Sequence, residues 1–103
     1  MFRNFFVGFV RIHILHHAER GPVYGLWLIE ELSRHGYRLS PGTIYPILGR
    51  MVKNGYLRSS KKVEGGRVRK YYRITAKGKK ALKEARVKIK ELVEEVLKEP
   101  EGG

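Results

Sequence analysis

Residues 38–75 read RLSPGTIYPILGRMVKNGYLRSSKKVEGGRVRKYYRIT, and this stretch decides the fold. Ser40 followed by Pro41 marks a helix start, since Ser favours the N-cap and Pro at the first helical position forfeits no hydrogen bond. Ile44, Ile47, Leu48 and Met51 follow at i, i+3, i+4, i+7, the spacing of one helix face. The opposite face carries Gly42, Thr43, Pro46, Gly49, Arg50 and Lys53, small at its start and cationic further on. Pro46 is unusual so deep in a helix, because it frees the carbonyl of Gly42 and bends the first turns. Asn54-Gly55 closes the element.

Residues 57–74 read as a hairpin. A two-residue turn at Gly65-Gly66 sets Leu57 opposite Ile74, Ser59 opposite Tyr72, Lys61 opposite Lys70 and Val63 opposite Val68. The other face then pairs Arg58 with Arg73, Ser60 with Tyr71, Lys62 with Arg69 and Glu64 with Arg67. A longer turn around Glu64–Val68 is the other reading and relaxes this register. Like charges directly opposite one another destabilise a sheet. Here seven basic residues face Glu64 alone, so an external polyanion explains the choice better than stability does. A helix followed by a basic hairpin is the order of a winged helix-turn-helix. The rod suits a DNA major groove, and the arm suits the flanking phosphates.

Upstream, residues 2–18 place Phe2, Phe5, Phe6, Phe9, Val10, Ile12, Ile14 and Leu15 at mostly helical spacing. The stripe is wider than one core face needs. It reads as a core helix that also meets a second subunit, ahead of a plain core helix or a membrane-surface anchor. Gly21-Pro22 breaks it, and residues 23–35 are expected to form the next helix, with Val23, Leu26, Trp27, Ile29 and Leu32 inward. Downstream, Thr75 caps a helix over 76–98. Leu82, Ala85, Ile89, Leu92 and Val96 form a 3-4 seam there, widened by Val93 and Leu97. A subunit interface is the stronger reading of this seam; a helix lying on its own domain is the weaker. The expected organisation is a DNA-binding domain over 1–75 with its wing at 57–74, a dimerisation helix over 76–98, and a flexible tail over 99–103.

Composition agrees with a nucleic-acid partner. The chain has 103 residues, one domain by size, with 22 Lys+Arg against 10 Asp+Glu and a net charge of +12. No cysteine is present, which excludes disulfides and thiolate chemistry. The run Phe5–Val10 is far shorter than the ~20 apolar residues a membrane span needs. No signal peptide is evident, and the expected location is cytoplasmic, with no membrane partner. Catalysis is poorly supported: the chain contains no aspartate. His13 and His17 have metal-gripping i, i+4 spacing but lack an accompanying carboxylate or thiolate beyond Glu19, so solvated or interface histidines are expected. Glu31 and His35 read as a surface pair. Neither an enzyme, a metal site nor a cofactor is expected.

DNA contacts are expected from Ser40, Pro41, Gly42, Thr43, Tyr45, Arg50 and Lys53 on the helix, and from Lys61, Lys62, Arg67, Arg69 and Lys70 on the wing. Ser40, Thr43 and the N–H groups of the first turn can hold a phosphate. Tyr45 is left open between a hydroxyl on DNA and a ring packed against the wing. Tyr71 and Tyr72 read as hairpin packing. Subunit contacts are expected from Phe2, Phe5, Phe6, Phe9, Leu82, Ala85, Ile89, Leu92, Val93 and Val96.

Several of these runs occur together in one family. Val23-Tyr24-Gly25 opens the second helix. Ser40-Pro41-Gly42-Thr43-Ile44-Tyr45-Pro46-Ile47-Leu48 opens the third, Asn54-Gly55-Tyr56-Leu57 leaves it, and Gly65 through Thr75 with Gly78 follows. In that order and spacing the chain resembles the PadR family of prokaryotic transcriptional regulators, across residues 20–80. The resemblance implies a mainly α fold with a small β-hairpin, a winged helix-turn-helix with N-terminal and C-terminal dimerisation helices. It also implies a homodimeric repressor whose third helix enters the major groove while the wing meets the backbone or minor groove. Tyr-Pro at 45–46 is a family feature. Some members respond to phenolic acids or other aromatic compounds and some to drugs held between subunits, so a small aromatic or amphiphilic effector is expected. The single short C-terminal helix matches the smaller subfamily.

The expected function is thus a sequence-specific regulator acting on a pseudo-palindromic operator in double-stranded DNA. The alternatives are a non-specific architectural or RNA-binding protein using the same charge, and a dimer that binds a small molecule or partner protein through its apolar surfaces.

Overall fold

Apolar spacing, helix stops and the glycine turn together produce seven elements among the described residues. The structure, a computed structural model, describes residues 2–98, with the side chain of Phe2 outside that description. The subunit-contact expectation for Phe2 and the expected tail over 99–103 therefore lie outside the described residues. In chain order the elements are α1 (Phe2–Arg20), β1 (Val23–Tyr24), α2 (Gly25–Ser33), α3 (Pro41–Lys53), β2 (Leu57–Glu64), β3 (Arg67–Ile74) and α4 (Ala76–Val96). The result is a winged helix-turn-helix: four helices and a small antiparallel sheet in the order β1-β3-β2.

The sheet corrects one expectation. Val23 and Tyr24 do not open α2 but form a short strand, paired with Tyr72 and Tyr71 of β3. The reason lies in Gly21-Pro22, which ends α1 and leaves the next two residues extended, with an open edge of β3 beside them. The inward face of α2 shifts accordingly. Gly25, Leu28 and Leu32 are its buried positions, Ile29 packs partly against the core, and Leu26 and Trp27 are exposed. The run Leu26-Trp27-Leu28-Ile29 is apolar on every side, so periodicity could not single out Leu28. α1 also continues two residues beyond the expected stop, to Arg20, and runs unbroken through Gly8.

One core unites the elements. Val10, Ile14, Leu15 and Ala18 of α1 meet Leu28 and Leu32 of α2, Ile44, Ile47, Leu48 and Met51 of α3, Leu57 and Tyr72 of the sheet, and Leu82 of α4. Burying such side chains contributes roughly 1.5–3 kcal/mol each relative to leaving them in water. α2 and α3 end in the same way. Tyr37 N–H reaches the Leu32 carbonyl at 3.0 Å, Tyr56 N–H reaches the Met51 carbonyl at 2.8 Å, and Gly36 and Gly55 precede them with φ of 84° and 83°. The chain leaves α3 pointed straight into β2.

Candidate nucleic-acid interface

α3 presents its polar face outward because its apolar face is consumed by the core. Ser40, Pro41, Gly42, Thr43, Tyr45, Arg50 and Lys53 are all exposed. Ser40 stands at the N-cap with extended backbone, yet its side chain makes no capping bond to the helix. Its hydroxyl lies 3.3 Å from that of Thr43. The Thr43 and Ile44 N–H groups both donate to the Ser40 carbonyl at 3.0 Å, and Pro41 has no N–H. Of the first-turn N–H groups expected to hold a phosphate, only that of Gly42 is therefore left without a backbone acceptor. The helix passes through Pro46 without ending.

Tyr45 rests against α2. Its ring lies over Gly25 at the start of α2, so close that a Cβ there would come within 2.5 Å of the ring carbon Cζ. Glycine at 25 is thus what lets the aromatic ring settle between α3 and α2, half exposed. At the other end of α3, Lys77 of α4 donates to the Asn54 carbonyl at 2.7 Å and sits 4.7 Å above the Tyr56 ring. A cation on the last carbonyls of a helix complements its dipole. Sequence reading missed Lys77, which is 23 positions from its acceptor.

The wing has the two-residue turn. Gly65 and Gly66 adopt φ of 55° and 77°, the left-handed pair that a type I′ turn requires. The register follows: Arg58 faces Arg73, Lys61 faces Lys70, Lys62 faces Arg69 and Glu64 faces Arg67. Glu64 is the local counter-charge. It accepts a hydrogen bond from Tyr71 Oη at 2.7 Å and stands 3.8 Å from Lys62 and 3.9 Å from Arg69. The Tyr71 hydroxyl, aided by Lys62 and Arg69, holds the Glu64 carboxyl below its usual range, and the same bond pushes the Tyr71 phenol up. Arg69 also covers the Tyr24 ring at 4.1 Å, and Tyr24 meets Tyr71 edge-on at 5.5 Å. Arg69 is thus pinned between Tyr24 and Glu64, while Lys61, Lys62, Arg67 and Lys70 are exposed along the wing. Tyr72 is in the core, and Tyr71 packs within the wing as hairpin reading expected.

The residues expected at a subunit interface divide. Leu82 is spent on the protomer's own core, and Phe6 is partly buried and packs on Tyr37 at 5.1 Å. Phe5 and Phe9 are 51% and 49% exposed, and Leu92 and Val96 are 59% and 65% exposed. Ile89 and Val93 are exposed as well, and Ala85 is intermediate. α4 is tied to α1 by Arg86, which reaches Glu19 at 3.2 Å and His16 at 3.3 Å. Between the two helices lies a groove of about 490 Å³ lined by Phe9, Ile12, His13, Tyr37, Leu82 and Ile89 among others. Among the described residues no helix is long and apolar enough to cross a membrane.

This combination of an outward helix and a basic hairpin, joined through one core, defines a winged helix-turn-helix protein. Residues 14–84 match the transcriptional regulator PadR-like family, and the chain belongs to that family. It is 53% identical over 95 residues to the transcriptional regulator Rv3488 of Mycobacterium tuberculosis, covering 92% of this chain and 89% of the relative. Solved structures agree. A PadR family transcriptional regulator from Eggerthella lenta superposes with a TM-score of 0.80 at 31% identity, over 93% of this chain and 85% of that one. A PadR-like transcriptional regulator from Bacillus cereus gives 0.73 at 34%, over 90% and 95%. The protein is a transcriptional regulator of this family, and its relatives are regulators rather than enzymes.

Proposed function

We propose that the protein binds double-stranded DNA in a sequence-specific way, as a homodimeric repressor on a pseudo-palindromic operator. The observation that carries this reading is the ladder of like charges on the wing, set beside an exposed α3 face. A sheet that opposes Arg58 to Arg73, Lys61 to Lys70 and Lys62 to Arg69 sacrifices its own stability. Phosphates along a duplex recover that loss by neutralising the cations and releasing counterions. In this reading α3 enters the major groove with Thr43, Tyr45 and the Gly42 N–H leading, and Arg50 and Lys53 reach the backbone. The division into a DNA-binding unit over 1–75 and a dimerisation helix beyond it rests on the uncovered apolar stripe of α4. A small aromatic or amphiphilic effector would occupy the groove between α1 and α4, whose lining overlaps the proposed subunit contact.

The test begins with selection of bound sequences from a random DNA pool, followed by affinity measurements across a salt series. Log affinity should fall steeply with log salt, and Lys61→Ala with Lys62→Ala should each reduce the slope by about 1 while leaving sequence preference intact. A slope indifferent to both residues would sink the wing's role. Equal footprint protection of all sequences would favour a non-specific architectural or RNA-binding protein.

A further inference from the structure

Four histidines are scattered along this chain, and the fold brings three of them together. His13 and His17 lie one turn apart on α1, and the chain leaving α2 carries His35 against them. Ligand nitrogens of His13, His17 and His35 all lie within 4.8 Å of one another. The His13 ring stacks on His35 with centroids 4.9 Å apart and on His17 at 6.4 Å. Tyr37 meets His13 edge-on at 5.4 Å, and Trp27 meets His17 at 5.3 Å, so aromatic rings wall the cluster.

A second observation points to a ligand. Nε2 of His17 is buried and has no hydrogen-bond partner among the described residues. A buried imidazole nitrogen left unpaired is destabilising, and such atoms are rare in folded proteins. Glu31 stands beside the cluster, its carboxylate 3.7 Å from His35 Nε2, and offers negative charge to a cation.

We propose that His13, His17 and His35 bind a borderline transition-metal dication, with Zn²⁺ as the reference ion and Glu31 or water completing the coordination. Imidazole is a preferred ligand for Zn²⁺, Co²⁺, Ni²⁺ and Cu²⁺, and three protein ligands leave one position open. Zn–N distances of about 2.0–2.1 Å require ligand nitrogens roughly 3.4 Å apart. The widest separation, up to 4.8 Å, therefore closes by as much as ~1.4 Å on binding. His35 supplies that movement, since it is exposed at the end of α2 while His13 and His17 are fixed on α1. The bound ion would clamp α1 to the segment that leads from α2 into α3.

The experiment uses the full chain, stripped of metal by a chelator. Titration with Co²⁺ should give visible ligand-field absorption saturating at one ion per chain, displaced by Zn²⁺, with a matching change in emission from Trp27 beside His17. His35→Ala alters an exposed residue and should keep the fold while weakening Co²⁺ and Zn²⁺ binding about 100-fold. His17→Gln should do the same, with circular dichroism checking that each variant is folded. His16→Gln, whose side chain pairs with Arg86, should leave affinity unchanged. Zn²⁺ should raise the melting temperature of the wild type and not that of His35→Ala. Absence of stoichiometric binding at micromolar metal would overturn the proposal. So would affinity unchanged in both His35→Ala and His17→Gln, or an equal loss in His16→Gln.

Discussion

Gly78 sits where the first turn of α4 crosses the exit of α3. Its N–H donates to Thr75 Oγ1 at 3.0 Å, which caps the helix, and Thr75 Oγ1 in turn donates to the Gly55 carbonyl. A Cβ at 78 would collide with the backbone carbonyl of Tyr56 and lie 2.7 Å from Cγ1 of Ile74. That carbonyl is itself held, accepting from Thr75 N–H at 3.2 Å, and cannot step aside. Gly78→Ala is therefore expected to destabilise the protein by about 1–3 kcal/mol in chemical denaturation, the usual cost of overpacking. Gly42→Ala is the control, because its Cβ would meet only Ser40 Oγ, at an ordinary 3.6 Å. The cap was legible in the sequence: Thr75 precedes a helical run, and its side chain performs as expected. The reasons for Gly25 and Gly78 were not legible, because each is set by a residue 20 or more positions away whose approach only the packed fold creates.

At the scale of elements, the wing was the easiest part to read. Of the two turns the sequence allowed, the two-residue Gly65-Gly66 turn forms, and the observed pairs match its register throughout. β1 was the hardest, since two extended residues have no periodicity and acquire their strand character from the β3 edge they meet. Glu64 makes the wing sensitive to acid. Its carboxyl is held below the ordinary glutamate value of about 4.3, first by the Tyr71 hydroxyl and then by Lys62 and Arg69. A depressed carboxyl stabilises the folded wing above the unfolded value, and that contribution is lost as the pH falls through the still lower folded value. The ring resonances of Tyr71 and Tyr24 should hold steady down to about pH 4.3 and shift below it as the tip loosens. Glu64→Gln should abolish that transition; a transition that persisted in this variant would assign it to another group.

At the scale of the molecule, α4 runs past the core. Its first half is anchored through Gly78 and Leu82 and its middle through Arg86, and the rest carries Ile89, Leu92, Val93 and Val96 into solvent along a molecule 64 Å in its longest dimension. A second copy packed on this stripe and on Phe5 and Phe9 would cover it. Sedimentation should then show a mass near twice 12.0 kDa at micromolar concentration, lost in Leu92→Lys, with operator affinity falling in parallel. A monomeric wild type would overturn the dimer. The helical spacing of the apolar residues of α4 was legible because it is local, whereas the histidine cluster was not. His35 is separated from His17 by a helix end, a strand and a whole second helix, and only tertiary packing closes that gap.

The order β1-β3-β2 leaves the outer side of β2 unpaired along eight residues, a length at which exposed strands template aggregation. Arg58, Lys61 and Lys62 lie on that open edge, so the cations that serve a polyanion also keep neighbouring molecules from zipping together strand to strand. The protection depends on that edge keeping its net positive charge. At charge equivalence with short nucleic-acid fragments in low salt, the repulsion is cancelled and the protein should pass through a solubility minimum.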